Sequence, residues 1–146
     1  MLEEREVDFV IEYKDYLSEA HLKHIKEGLN DHAYEQKGIG QNNAPYSFSI
    51  VNEQNQFVAG ISGLNYCGCF YIDLLFVVKN ARKKGYGSAL LQKAEALARQ
   101  RNCHFIAVNT MEFEAKEFYE KHGYQVEFVR KGFDKNTKAY FLRKDL

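Results

Sequence analysis

Residues 70–78, FYIDLLFVV, are the most apolar run in the chain, and a basic, glycine-bearing segment, KNARKKGYGS, follows directly. Beyond it, Leu90, Leu91, Ala94, Leu97 and Ala98 recur on one helical face. Residues 103–108, CHFIAV, are again short and apolar. Strand, glycine turn, helix and strand in that order make a βαβ unit, which requires two parallel strands joined by a right-handed crossover. This unit places residues 70–78 in the middle of a sheet. A run so apolar, broken by the single acid Asp73, fits a strand buried on both faces.

The flanking segments fill in the sheet. Residues 7–13 read as a first strand, and Leu22, Ile25 and Leu29 mark a helix with Ser18 as its N-cap. Residues 46–51 and 57–64 flank the polar quartet Glu53, Gln54, Asn55 and Gln56 as a hairpin. Ala115, Phe118, Tyr119 and His122 share a helical face that Gly123 terminates, and residues 125–130 and 138–143 form a closing hairpin around GFDKNTK. The order βαβββαβαββ predicts an α/β fold with a mixed sheet. With no repeat, linker or low-complexity tract, residues 1–146 read as a single domain.

Composition narrows the function. The 45% hydrophobic and 14% aromatic content excludes a disordered chain. Twenty basic and twenty acidic side chains cancel, which argues against nucleic acid as a partner. The zero is a sum of two biases: residues 79–101 hold seven basic groups against one acid, while residues 1–20 hold seven acids against two bases. No apolar run approaches the ~20 residues that span a bilayer, and the acidic start lacks signal-peptide character, so a cytoplasmic protein with no membrane partner is expected. Cys67, Cys69 and Cys103 are too few and too oddly spaced for a metal site or a disulfide framework; alternation places Cys67 and Cys69 on one strand face as small core residues.

Arg82, Lys83, Lys84, Gly85, Tyr86, Gly87 and Ser88 lie between the central strand and its helix. Two glycines allow close backbone approach, and the helix start offers free N–H groups to an anion such as a phosphate. Spacing alone leaves open a plain glycine turn with solvated lysines. The segment is neither a Walker loop nor a complete dinucleotide fingerprint, because Leu90 stands where a third glycine would be required.

Three features together resemble the GNAT superfamily of acyl-CoA-dependent N-acetyltransferases. The strand leads into Arg82-x-x-Gly85-x-Gly87, which is similar to the family's (Q/R)xxGx(G/A) loop; a second strand follows; and Ala115-Lys-Glu-Phe-Tyr119-Glu-Lys-His-Gly123-Tyr124 resembles its AxxxYxxxGF helix and turn. The resemblance covers about residues 46–146. It implies a mostly antiparallel sheet with one splayed parallel pair, and acetyl-CoA as co-substrate without a metal. The pyrophosphate would lie in the Arg82 to Ser88 loop, and the main chain of Phe76, Val77 and Val78 would bond the pantetheine arm. Tyr119 matches the family's helix tyrosine near the sulfur and is thus the expected general acid. One departure from the pattern is Glu112, where many members carry Asn.

The other residues keep two readings each. Asp73 is the candidate base if burial raises its pKa, or else an acid on an open or paired face. Glu112 and Glu114 read as first-turn acids that favour the helix dipole, and His104 as structural. The expected reaction is acetyl transfer to a primary amine of a small molecule, or less readily of a peptide, by direct attack. The rivals are a non-catalytic acyl-CoA-binding domain and a nucleotide-binding module using the same cradle. Tyr34, Tyr46 and Phe133 are candidate walls of the acceptor pocket, and the closing hairpin leaves an edge through which a second copy could pair.

Overall fold

The computed structural model describes residues 11–40 and 44–146. Its elements run α1 (Glu19–Lys37), β1 (Ala44–Val51), β2 (Phe57–Tyr66), β3 (Cys69–Val77), α2 (Tyr86–Gln100), β4 (Phe105–Met111), α3 (Lys116–Lys121), β5 (Gln125–Phe133) and β6 (Thr137–Asp145). One six-stranded sheet has the order β1-β2-β3-β4-β6-β5. Only β3 and β4 pair in parallel; every other neighbouring pair is antiparallel. Both hairpins and the βαβ unit stand where the patterns place them. Of the expected first strand, residues 7–10 lie outside the described residues, and residues 11–13 adopt no regular structure.

Helix α2 covers the middle of the sheet. Leu90, Leu91, Ala94 and Ala98 are buried, and they pack with Ala59, Ile61, Phe70, Ile72, Ile106 and Val108 in one cluster. Each fully buried leucine is worth about 2 kcal/mol relative to exposure. The same face buries an acid, Glu95, whose carboxylate accepts from the Tyr124 hydroxyl at 3.1 Å and pairs with Lys144 at 3.1 Å. Burial and Glu95 together push the Tyr124 hydroxyl well above its usual pKa.

The continuous apolar run is not a strand buried on both faces. Phe70 and Ile72 face the core, but Leu74 and Phe76 are 70% and 55% exposed. The pairing of β2 with β3 slips between Ser62 and Gly63, leaving Asp73 without a cross-strand partner. This extra residue is a bulge, and it inverts the alternation: Leu75 and Val77 pack on the core beyond it. Asp73 itself is exposed at the bulge and not buried within the strand.

Three other expectations change. Cys67 is exposed in a two-residue turn with Gly68, both at positive φ (51° and 81°), the geometry that joins twisted hairpin strands; only Cys69 is buried in the strand. Tyr46 is a core residue, stacked on Phe70 at 4.2 Å with its hydroxyl donating to the Tyr71 carbonyl. Helix α1 has its Ser18 cap, which accepts from the His21 N–H at 3.1 Å, yet it buries no side chain, and Leu22, Ile25 and Leu29 are exposed.

Candidate active site

The parallel pairing of β3 with β4 extends only from Cys69 opposite Phe105 to Ile72 opposite Val108. Both strands continue, to Val77 and Met111, without pairing further. They part at the Asp73 bulge. A cleft of about 760 Å³ opens there, and its walls include Asp73, Phe76, Val77, Arg82, Lys83, Gly85, Tyr86, Gly87, Ser88 and Tyr119. The structure thus brings together ten of the twelve residues singled out from the sequence.

The remaining two are off the cleft wall. Lys84 does not line it, and Val78 is bonded elsewhere: its N–H donates to the Val58 carbonyl and its own carbonyl accepts from Ala81, both at 2.9 Å. Main-chain groups alternate between the two sides of a strand, so Phe76 shares the orientation of Val78 toward β2. Leu75 and Val77 therefore present their main-chain groups to the gap. Of the three residues expected to bond a ligand through the backbone, Val77 alone faces the gap by this alternation, and Leu75 faces it with Val77.

The basic end of the cleft is built by the start of α2. Gly85 is its N-cap at φ 85°, and no side chain caps the helix. Intrahelical bonding begins with the Ala89 N–H donating to the Gly85 carbonyl, so the preceding N–H groups of the first turn lack helical acceptors. Arg82 is held nearby, its Nε donating to the Val77 carbonyl at 3.0 Å and its guanidinium 5.6 Å from the Phe76 ring centre. Lys121 of α3 adds a cation that the sequence reading did not assign here. Leu74, Phe76, Phe113 and Phe118 give the cleft apolar walls.

Tyr119 also lines the cleft, 4% exposed, edge-on to Phe118 and Tyr124 at 5.2 and 5.5 Å. Burial and the Glu114 carboxylate push its hydroxyl pKa up to about 12. Among the described residues that hydroxyl has no hydrogen-bond partner. At the start of α3 the Ala115 side chain cannot cap the helix; Thr110 Oγ1 accepts the Ala115 N–H at 3.1 Å and donates to Glu114 at 3.2 Å, which also accepts the Met111 N–H. Glu114 is thus a staple between β4 and α3 that lines the cleft. Glu112 is not in the cleft; it exchanges bonds with the Lys138 main chain and joins β4 to β6. His104 lies against Gly68 at the β2–β3 turn, outside the cleft, as a structural residue.

A smaller cavity of about 350 Å³ adjoins the cleft, lined by Tyr71, Phe105, Glu127 and Phe141 among others. The two share Ile72, Asp73, Val108 and Asn109. Neither is lined by Tyr34, Tyr46 or Phe133.

The sequence model of the acetyltransferase (GNAT) family matches residues 8–124, spanning the splay, the cradle and Tyr119. The chain belongs to this family. It is 30% identical over 102 residues to blasticidin-S acetyltransferase of Streptomyces morookaense, covering 69% of this chain and 75% of that protein. It is 35% identical over 78 residues to an acetyltransferase of Agrobacterium fabrum, covering 53% of this chain and 57% of the relative, so it spans little more than half the length of that protein. The crystal structure of an acetyltransferase from Bacillus cereus superposes with a TM-score of 0.76 at 28% identity, covering 92% of this chain and 98% of that one. The GNAT chain described here thus shares both sequence and sheet architecture with named acetyltransferases. Among the described residues, no helix is long and apolar enough to cross a membrane.

Proposed function

We propose that residues 1–146 act as one cytoplasmic N-acetyltransferase domain that moves an acetyl group from acetyl-CoA to a primary amine of a small molecule. The observation that carries this reading is the set of groups that one cleft brings together: the uncapped N–H groups of α2 with Arg82 and Lys83, apolar walls at the edge where β3 leaves β4, and Tyr119. That set suits a ligand that carries a diphosphate, an amide-bearing arm and a thioester. The first-turn N–H groups of α2 would hold the diphosphate. Leu75 and Val77 would bond the arm as a peptide bonds a sheet edge. One of their N–H groups would also stabilise the oxyanion formed at the thioester carbonyl.

The amine attacks neutral, although an alkyl amine has a pKa of about 10.4. Asp73 stands on the wall shared by the cleft and the smaller cavity, where it can take the amine proton as the acceptor enters from that side. Collapse of the tetrahedral adduct breaks the C–S bond. The Tyr119 hydroxyl, protonated at every working pH, donates to the departing sulfur. With the Tyr119 pKa pushed up to about 12, the tyrosinate is a stronger base than the adduct nitrogen and recovers its proton from that protonated nitrogen. Nitrogen thus gives up two protons: the first passes from Asp73 to solvent, and the second replaces on Tyr119 the proton gained by sulfur.

The relative that acetylates blasticidin-S supports a small-molecule acceptor. The test is release of free CoA thiol with a panel of small amines that includes blasticidin-S, with acetylated product identified by mass. Thiol release dependent on one amine class is the expected result. Tight acetyl-CoA binding with no thiol release across the panel would favour a non-catalytic acyl-CoA-binding domain.

A further inference from the structure

His122 closes α3 and Ser88 lies in the first turn of α2, 34 positions apart in the chain. The imidazole bridges them: Nδ1 is 2.8 Å from the Phe118 carbonyl oxygen and Nε2 is 3.0 Å from Ser88 Oγ. A carbonyl can only accept, so in the neutral ring Nδ1 carries the hydrogen and Nε2 accepts the Ser88 hydroxyl proton. This fixes the Ser88 side chain toward α3. It cannot bond back onto its own helix, an alternative open to serine near a helix start, and its N–H is left clear toward the cleft. The His122 ring also packs on Phe118 at 4.6 Å, and Phe118 lies beside Gly87, where a Cβ would meet its ring at 3.4 Å.

We propose that His122 is a positioning residue that sets the phosphate cradle through Ser88. The inference rests on the reading that Gly85 to Ser88 hold the diphosphate of acetyl-CoA. With His122 removed, Ser88 is released, the first turn of α2 loses its tie to α3, and the cradle no longer holds one shape. The consequence falls on ligands that carry the diphosphate. S-acetylpantetheine, which has the thioester and the arm but no diphosphate, is insensitive to the loss.

The experiment measures acetyl-CoA Kd by calorimetry, and KM and kcat by thiol release, for wild type, His122→Ala, His122→Gln, Ser88→Ala and the His122→Ala/Ser88→Ala double variant. One hydrogen bond of ordinary strength predicts that His122→Ala weakens acetyl-CoA binding about three- to tenfold. The loss should fall on KM for acetyl-CoA more than on kcat. The double variant should be no weaker than His122→Ala, because the two residues act as one unit. His122→Gln, which keeps an acceptor near the Nε2 position, should restore most of the affinity. With S-acetylpantetheine, wild type and His122→Ala should differ less than twofold. Additive losses in the double variant, or an equal loss with S-acetylpantetheine, would overturn the proposal, and the Ser88→Ala arm keeps it testable if His122→Ala fails to fold. Wild type that fails to bind acetyl-CoA would overturn the cradle reading itself and this inference with it.

Discussion

Replacing Tyr119 by Phe removes one oxygen atom, and the structure predicts opposite signs for its two effects. The side chain is 4% exposed, and its hydroxyl has no hydrogen-bond partner among the described residues. A buried hydroxyl without a partner costs about 1–3 kcal/mol. Tyr119→Phe should therefore leave folding stability unchanged or raise it by up to about 1 kcal/mol, a Tm shift of roughly 3–4 °C for a domain of this size. Turnover should move the other way. A general acid is typically worth 10²- to 10⁴-fold, and the least loss consistent with the assignment is about tenfold, or ~1.4 kcal/mol in the barrier. Acetyl-CoA affinity should hold, because the phenol acts on the departing sulfur and not on the diphosphate. The assay is thiol release at saturating acetyl-CoA and amine, beside a thermal melt and a calorimetric titration of the same preparation. Unchanged turnover removes Tyr119 from the chemistry. A turnover loss accompanied by a Tm several degrees lower would mean that the ring had repacked, and the functional assignment would fail on that ground.

Lys144→Met leaves the buried Glu95 carboxylate with the Tyr124 hydroxyl alone, and should destabilise the fold by about 3 kcal/mol in urea titrations, whereas replacing Glu95 by Leu as well should recover most of it; a loss under about 1 kcal/mol would contradict the burial of that charge. Gly85→Ala meets no atom within 4 Å but must hold φ near 85°, so it should cost about 1 kcal/mol of stability while lowering acetyl-CoA affinity at least tenfold by calorimetry as the cradle relaxes; unaltered affinity would place the diphosphate elsewhere. Tyr119 holds its proton in the fold up to about 12, and Tyr46 and Tyr124 are raised further, so the unfolded chain ionises first as pH rises through 10. Stability should be intact below pH 10 and fall above it by up to about 1.4 kcal/mol per pH unit for each tyrosine. Urea midpoints that stay level from pH 9 to 11 would show that these phenols are not buried.

Much of the sheet was legible because its signals are local. The βαβ unit, the two hairpins, the Ser18 cap and the αL glycine after α3 each depend on a few neighbouring residues. The interior of β3 was not, for a definite reason: FYIDLLFVV reads as one buried strand, yet it is two alternating halves set out of phase by a bulge at Asp73. The acid within the apolar run was the visible sign of that break. Of its two readings, a base raised by burial or an acid on an open or paired face, the exposed position where β3 and β4 separate fits the second. Alternation beyond the bulge turns the main chain of Val78 toward β2, where its N–H bonds the Val58 carbonyl.

Other misses depend on contacts between residues distant in sequence. Glu95 stands between Ala94 and Leu97 on α2, and nothing local announces that Tyr124 and Lys144 meet it in the core. His122 was placed correctly on the face of α3, but Ser88, its partner, lies on another helix. Helix α1 shows the converse: its periodicity is correct and its cap forms, yet its apolar stripe buries nothing among the described residues. Amphipathic spacing specifies a helix face without specifying what covers it.

The most direct test of the central claim is a calorimetric titration of the unmodified protein with acetyl-CoA and, separately, with ATP. Both ligands carry phosphates, but only acetyl-CoA has an arm and a thioester to fill the apolar splay and reach Tyr119. Saturable binding of acetyl-CoA, at least tenfold tighter than any binding of ATP, is the result expected. ATP binding with no heat from acetyl-CoA would contradict the account.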